Sequence, residues 1–190
     1  MKAARLIVSE FVSLNGIMEA PGGEQGHPHS GWTFKSHYGD DHYAYKQEEI
    51  DEAEVLLLGR KTFEGFSNAW PQREGEFADK INSMPKYVVS STLTDPEWEN
   101  TTVLSGDPIE TVGKLRDEVD GPILLNGSAQ LAHALGEAGL VDEWRAMVHP
   151  TLIAEGLRMF PDPGEMQNLR LADNKTYESG VALLIYTAAD

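Results

Sequence analysis

Two short segments of the chain place a glycine beside small, polar or basic residues directly after an apolar run. Residues 59–63 (GRKTF) follow the run VLLL, and residues 126–130 (NGSAQ) follow the run ILL. Apolar runs of this length are typical of buried strands, and a helical pattern follows each segment. Where a strand ends and a helix begins, backbone N–H groups and the helix dipole attract an anion. Two such turns in one small domain predict a ligand rich in phosphate, such as a dinucleotide.

The first segment combines a turn residue with positive charge. Gly59 permits the tight turn, and Thr62 is predicted to cap the following helix. Arg60 and Lys61 are the only adjacent basic residues in the sequence, and both can pair with phosphate groups. An ordinary turn with solvated basic side chains is the alternative interpretation of this segment taken alone.

The second segment offers backbone donors. Gly127 allows a close approach of the backbone to a ligand, and Ser128 is predicted to cap the next helix. The amides of Ser128, Ala129 and Gln130 are then expected to point at a pyrophosphate group. Here too an ordinary strand-to-helix turn is the alternative.

Hydroxyl groups follow a third predicted strand, residues 87–89. Ser90 and Ser91 stand directly after it, on the sheet edge that carries the two glycine-containing turns. Hydroxyl groups with basic side chains nearby suit a ribose 2′-phosphate, so these residues favour NADPH over NADH as the cofactor.

Composition limits the class of protein. The chain has 190 residues, no cysteine, and 31 acidic against 15 basic residues, for a net charge of −16. Without cysteine, a disulfide scaffold, a thiolate metal site and a thiol nucleophile are excluded. The negative field disfavours nucleic acid and anionic membranes as partners. The first apolar run is too short for a signal peptide, so we expect a single cytoplasmic domain spanning residues 1–190.

The order of predicted elements indicates a wound α/β body, with a mostly parallel central sheet, helices on both faces and an antiparallel C-terminal edge. Strands are predicted at residues 5–12, 55–58, 87–89, 102–104, 123–125, 142–152, 169–177 and 181–187. Helices are predicted at residues 40–53, from 62 onward, at 107–121 and at 128–138. A long loop at 13–39 and a variable connection at 70–84 are left between them.

The long loop carries candidates for substrate binding. Trp32 and Phe34 can cover a flat heterocycle, or they can anchor the loop by packing. Lys35 is the only basic residue in this loop. His27 and His29 flank a proline and lack further clustered ligands, so we expect no metal site.

The order of these motifs resembles the dihydrofolate reductase fold, and most closely its branch with the riboflavin-biosynthesis reductase, the C-terminal domain of RibD, including free-standing members. The resemblance spans nearly the whole chain, and its most specific part is the pattern LVDE, HP and G..LF towards the C-terminus. The matching segments are residues 13–16 (SLNG), 57–63 (LLGRKTF), 86–91 (KYVVSS), 125–131 (LNGSAQL), 139–144 (GLVDEW), 149–150 (HP) and 156–160 (GLRMF).

The resemblance implies an NADPH-dependent reductase. It assigns residues 60–62 to the adenosine-side phosphates, Ser90 and Ser91 to the 2′-phosphate, and residues 127–130 to the pyrophosphate. Asn15 and Gly16 would lie beside the nicotinamide. Asn126 stands at a position where members of this family commonly have the first glycine of the turn. Asn15 stands where an aspartate is frequent, and an asparagine tolerates the left-handed turn conformation expected there.

The resemblance also implies a carboxylate on the helix after the first loop, for substrate binding and protonation. Asp41 is the candidate, with helix capping as its alternative role. The expected reaction is hydride transfer to a small heterocyclic or ribosylaminopyrimidine-type substrate. The alternatives are a true dihydrofolate reductase and a non-catalytic nucleotide-binding dimer. The apolar terminal strands could supply the interface of a homodimer.

Overall fold

The computed structural model describes residues 3–23, 26–35, 39–161 and 166–189, which contain an eight-stranded sheet in the order β4-β3-β2-β5-β1-β6-β8-β7. The strands are β1 (Leu6–Ser13), β2 (Val55–Gly59), β3 (Lys86–Val89), β4 (Thr101–Leu104), β5 (Ile123–Asn126), β6 (Glu143–His149), β7 (Leu169–Thr176) and β8 (Ala182–Ala188).

Strands β1 to β6 pair in parallel, whereas β8 pairs antiparallel with both β6 and β7. The predicted wound sheet with an antiparallel C-terminal edge is therefore confirmed. Because β3, β2, β5 and β1 are consecutive in the sheet, their carboxyl ends share one edge. Both glycine-containing turns begin at that edge.

The helices lie largely where the sequence predicts them. They are α1 (Trp32–Lys35), α2 (Tyr43–Glu52), α3 (Arg60–Ala69), α4 (Glu76–Ser83), α5 (Pro108–Glu118) and α6 (Ala129–Glu137), with a 3₁₀ turn at Trp70–Gln72. The long loop thus contains α1, and the connection at 70–84 contains α4. Both were missed because neither segment shows a sustained apolar period. Among the described residues, no helix is long and apolar enough to cross a membrane.

Helices cover both faces of the sheet, as predicted. Successive side chains of β1 point to opposite faces, so Leu6 packs in one core with Leu115 of α5 and Leu135 of α6. Ile7 packs in the other core with Ile50 of α2. Each such buried aliphatic side chain contributes about 1.5–3 kcal/mol relative to exposure. The two cores hold the sheet rigid beneath its carboxyl edge.

A buried ion network attaches α2 to the centre of the sheet. The ammonium group of Lys46 donates to Glu49 at 2.6 Å and to the hydroxyl of Ser9 at 2.8 Å. The guanidinium of Arg145 on β6 contacts Glu49 at 3.4 Å and Glu143 at 2.6 Å. Within this network each buried charge therefore has a partner of opposite sign, which offsets the cost of its burial.

Candidate functional site

The two glycine-containing turns lie side by side and contact each other. The backbone N–H of Gly59 donates to the hydroxyl of Ser128 at 2.8 Å, and that hydroxyl donates to Oγ1 of Thr62 at 2.9 Å. A Cβ atom at Gly59 would lie 3.3 Å from the Ser128 side chain, closer than most real Cβ contacts. The ends of β2 and β5 therefore form one continuous surface.

The predicted capping role of Thr62 is wrong, and Ser128 occupies the predicted N-cap position of α6 without making a capping bond. Thr62 lies inside α3, which begins at Arg60, and Ser128 has left-handed backbone geometry (φ 60°) with no side-chain cap bond. Both hydroxyls are instead used in the contact between the two turns. This pairing depends on two distant segments, so local pattern could not indicate it.

The first turns of α3 and α6 keep backbone N–H groups without a side-chain cap, because Gly59 before α3 has no side chain and the Ser128 hydroxyl before α6 contacts the other turn. Helix α5 shows the contrast: Asp107 precedes it and accepts from the N–H groups of Ile109 and Glu110. The first N–H groups of any helix lack partners within the helix. Two adjacent uncapped N-termini are therefore available to an anion.

Gly127 occupies a position that only glycine fills well. Its φ is +61°, and an added Cβ would lie 2.7 Å from Cγ2 of Thr62. The neighbouring Asn126 donates from Nδ2 to the carbonyl of Ser9 on β1 at 2.7 Å. The turn is consequently held against both adjacent strands.

The polar side chains around these turns differ in their solvent exposure and in the hydrogen bonds that they already make. Arg60 and Lys61 are both exposed, and the guanidinium of Arg60 pairs with Glu64 at 2.6 Å. Ser90 is buried, and its hydroxyl accepts from the backbone N–H groups of Thr92 and Leu93 at 3.2 and 3.0 Å. The exposed residue of this pair is Ser91.

Asn15 stabilises the turn after β1 through a reciprocal pair with Ile153. Its Nδ2 donates to the carbonyl of Ile153 at 2.7 Å, and its Oδ1 accepts from the N–H of Ile153 at 3.1 Å. The left-handed residue of the turn is Gly16 (φ 89°), so the conformation expected at Asn15 is wrong. An aspartate could not make the donating half of this pair.

Arg158, which the sequence motifs did not identify as a site residue, places a positive charge at the same turn. The guanidinium of Arg158 donates to the carbonyl of Asn15 at 2.7 Å, and its NH1 lies 3.5 Å from the Cβ position of Gly16. Residues 15 and 158 are 143 positions apart, so only the fold brings them together. The matched GLRMF segment contains Arg158, but the segment by itself does not indicate that this residue lies near the turn of Asn15.

The two aromatic candidates of the long loop occupy different environments. Trp32 is buried, donates from Nε1 to the carbonyl of Glu19 at 2.9 Å, and packs with its ring 5.3 Å from that of His149. Phe34 is 63% exposed. Trp32 thus anchors the loop to the end of β6, whereas the Phe34 side chain is largely exposed.

His149 is fully buried in an aromatic cluster at the carboxyl end of β6. Its ring lies 5.5 Å from that of Phe11 and 5.1 Å from that of His42, besides the contact with Trp32. Neither ring nitrogen has a hydrogen-bond partner within the described ranges. Burial, followed by the nearby His42 and Lys46, lowers the pKa of His149 to about 4. The ring is therefore neutral near physiological pH.

Asp41 joins the start of α2 to the turn between β7 and β8. Its carboxylate accepts from the N–H of Glu178 at 2.7 Å and from that of Ser179 at 3.4 Å. Hydrogen bonding by the Ser179 side chain, and then by these backbone groups, lowers the pKa of Asp41. At neutral pH this group is an ionised carboxylate.

Over the residues that the structure describes, no three His, Cys, Asp or Glu side chains cluster closely enough to hold a metal ion.

Comparison with known proteins gives a family match over most of the chain. The family model of the RibD C-terminal domain matches residues 4–184. Among curated proteins, the chain is 30% identical over 196 residues to the uncharacterized protein YyaP of Bacillus subtilis (strain 168), covering 98% of this chain and 96% of that protein. The resemblance inferred from the motifs is confirmed.

Solved structures show the same fold at low sequence identity. A Shewanella sp. PV-4 protein named for riboflavin biosynthesis matches with a TM-score of 0.74 at 16% identity, covering 98% of this chain and 99% of that one. Dihydrofolate reductase from Enterococcus faecalis, complexed with NADP(H), matches with a TM-score of 0.64 at 17% identity, covering 98% and 97%. A Thermotoga maritima deaminase and 5-amino-6-(5-phosphoribosylamino)uracil reductase matches with a TM-score of 0.68 at 14% identity, covering 99% of this chain and 57% of that one.

Proposed function

The chain belongs to the RibD C-terminal domain family, and on this basis we propose that it is an NADPH-dependent reductase acting on a small heterocyclic or ribosylaminopyrimidine-type substrate. The observation that carries this proposal is the contact between Gly59 and Ser128, which places two uncapped helix N-termini side by side. The relatives with reductase names support the reaction class, and the Enterococcus faecalis complex supports the cofactor class.

The donor set fits the diphosphate of a dinucleotide. The amides at the start of α6, namely Ser128, Ala129 and Gln130, would bind the pyrophosphate, and Gly127 allows its close approach. The amides at the start of α3, from Arg60 to Thr62, would hold the neighbouring phosphate. Backbone donors of this kind compensate locally for a surface whose net charge is −16.

The adenosine end of the site favours NADPH. Arg60 and Lys61 are exposed at the start of α3, where Glu64 competes for the Arg60 guanidinium, and Ser91 is exposed at the adjacent strand end. These three side chains would bind the 2′-phosphate. Ser90 would shape the turn that presents Ser91, because its own hydroxyl already accepts two backbone N–H groups.

When bound, the reduced nicotinamide supplies the hydride, and the protein supplies orientation. The turn of Asn15 and Gly16 after β1 would hold the nicotinamide, since β1 neighbours β5 at the sheet edge. The reciprocal bonds of Asn15 with Ile153 and the bond from Arg158 keep this turn rigid. A rigid turn limits the positions that the reacting carbon can take.

We assign substrate binding to the side of the Asn15 and Gly16 turn opposite the nicotinamide. Phe34 would cover a flat heterocycle, and Trp32 would hold the loop that carries Phe34. Arg158 would pair with a substrate phosphate, a task for which the loop itself offers only Lys35. Asp41, as an ionised carboxylate, would accept a hydrogen bond from the substrate rather than donate a proton.

The test is a thermal-shift titration with NADPH, NADH and flavins, followed by stopped-flow oxidation of NADPH with candidate substrates. We expect stabilisation by NADPH and turnover with a ribosylaminopyrimidine phosphate. Turnover of dihydrofolate, with competition by methotrexate, would instead indicate a dihydrofolate reductase, the alternative that shares the fold of the Enterococcus faecalis enzyme. Binding of NADPH without turnover of any substrate would indicate a nucleotide-binding module.

The protein is further proposed to act as a cytoplasmic homodimer with a small molecule as its partner, and with neither nucleic acid nor membrane. Strand β7 is exposed along its whole length, including Leu169 at 38% and Leu171 at 47%. Apolar residues on an exposed strand suit a two-fold interface. Light scattering of the wild type and of Leu171→Lys tests the dimer: the variant should be monomeric.

A further inference from the structure

Glu10 is a carboxyl group buried beneath the proposed dinucleotide site. It lies near the carboxyl end of β1 and is only 4% exposed. Because side chains alternate along a strand, Glu10 shares the face of Val8 and Val12, which belong to the core beneath α5 and α6. The register of β1 against β5 pairs Ser9 with Asn126, so Glu10 and Gly127 follow that pair, and the Gly127 N–H acts to lower the pKa of this carboxyl group. Glu10 therefore lies beneath the turn.

One oxygen of this carboxyl group, Oε1, is buried and has no hydrogen-bond partner in the described part of the chain. A buried polar atom without a partner costs about 1–3 kcal/mol, and the cost is larger if the group is charged. A protonated carboxyl group can use that oxygen as a donor towards a ligand at the turn.

Burial affects the pKa of Glu10 more than the nearby charges do. Burial raises the pKa of Glu10 well above its ordinary value, while Lys46 and the N–H of Gly127 act in the opposite direction and Glu49 raises it further. Lys46 and Glu49 both lie on α2, where they pair with each other at 2.6 Å. Their opposite effects partly cancel, so burial has the largest effect on the pKa of Glu10.

We propose that Glu10 is a neutral carboxylic acid that positions the Gly127 turn, and that its proton is a condition for binding a diphosphate-bearing dinucleotide there. The inference rests on the proposed function, because it concerns the same turn. An ionised Glu10 would place a third negative charge next to the two charges of a diphosphate, inside a poorly screened interior. Coupling is reciprocal, so a bound diphosphate holds the proton on Glu10 to the same extent.

The direct test is infrared spectroscopy of the wild-type protein, with and without inorganic pyrophosphate. We expect the C=O stretching band of a buried protonated carboxyl group at neutral pH, and its loss as the pH is raised. Pyrophosphate should move that loss to higher pH. The absence of the band at neutral pH, or a loss unaffected by bound pyrophosphate, would overturn the proposal. This measurement does not depend on a variant that could fail to fold.

The second test compares NADPH affinity in the wild type and in Glu10→Gln over the same pH range. The amide is neutral and keeps an acceptor for the N–H of Gly127. We expect affinities within about threefold at neutral pH, then a wild-type loss that approaches tenfold per pH unit once Glu10 ionises, with no such loss in the variant. Equal pH profiles would contradict the proposal. The control Glu137→Gln removes an exposed carboxylate at the C-terminal end of α6 and should keep the wild-type alkaline loss.

The outcomes separate the two proposals. If the infrared band responds to pyrophosphate but NADPH does not bind at any pH, the proposed cofactor fails and the role of Glu10 at an anion site stands. If NADPH binds with a pH profile that Glu10→Gln leaves unchanged, the cofactor stands and the role of Glu10 fails.

Discussion

The backbone N–H of Gly59 donates a hydrogen bond to the hydroxyl of Ser128, a residue 69 positions later in the chain. This one bond joins the end of β2 to the end of β5. It also occupies the side chain that would otherwise cap α6, so the helix keeps its first N–H groups for a ligand. The same hydroxyl reaches Thr62, so the start of α3 is held in the same place.

Ser128→Ala removes the acceptor for Gly59 and the partner of Thr62. We expect a loss of about 1 kcal/mol in the free energy of unfolding, and a five- to tenfold weaker NADPH affinity, roughly the effect of one hydrogen bond. Urea unfolding and fluorescence titration measure the two effects. The control is Ser67→Ala, which removes a hydroxyl from α3 away from the turn. Equal NADPH affinity in both variants would contradict the role of Ser128.

Gly127→Ala should lower stability and NADPH affinity together. The new methyl group would lie 2.7 Å from Cγ2 of Thr62, and alanine would have to adopt a φ of +61°. The backbone part of this cost is about 1 kcal/mol. Adding Thr62→Ser removes Cγ2 and should restore part of the melting temperature. Gly113→Ala, within α5 and with no atom near its Cβ position, should instead raise stability by about 0.5–1 kcal/mol.

Arg60→Ala should weaken NADPH binding by about 1–3 kcal/mol, the scale of a hydrogen bond to a charged group. Glu64 competes for the same guanidinium at 2.6 Å, so Glu64→Gln should strengthen binding. Isothermal titration calorimetry with NADPH and NADH measures both changes, and the loss in Arg60→Ala should be larger for NADPH. An unchanged dissociation constant in Arg60→Ala would refute the position assigned to this residue.

Asn15→Asp changes this chain to the SLDG form of the motif and should destabilise it. The substitution replaces the Nδ2 donor by an oxygen that faces the carbonyl of Ile153, now 2.7 Å from Nδ2. A lost partner of this kind costs about 1–3 kcal/mol. The loss should grow as the pH rises and the new carboxyl group ionises. Urea unfolding at acidic and neutral pH provides the measurement, and a variant as stable as the wild type would mean that the turn rearranges.

His149→Phe should remove a pH dependence of stability. The pKa of His149 is about 4 in the folded protein, against an ordinary value of 6.5, so the unfolded chain binds more protons between these values. The contribution of His149 to the free energy of unfolding is therefore fully present above pH 6.5. It falls by about 3 kcal/mol as the pH drops towards 4. Phenylalanine keeps the aromatic packing without a titrating group. Thermal unfolding of both proteins over this range should show a smaller acid loss in the variant.

The sequence alone determined the elements of the sheet and the two turns at its edge. Short apolar runs predict buried strands, and Gly59 and Gly127 mark where those strands end, because both signals come from residues that are adjacent in the chain. The SLNG, GRKTF and NGSAQ segments could therefore be placed on the carboxyl edge of a wound sheet without coordinates.

Only the tertiary structure decided which side chains meet at that edge. Ser128 contacts Gly59 rather than capping its helix, Arg158 contacts the turn of Asn15, and Asp41 bonds to a hairpin 137 positions away. The burial of Glu10 against Gly127 is of the same kind. These contacts depend on which strands become neighbours in the sheet. That order is set by the packing of both faces together, and no local pattern of residues encodes it.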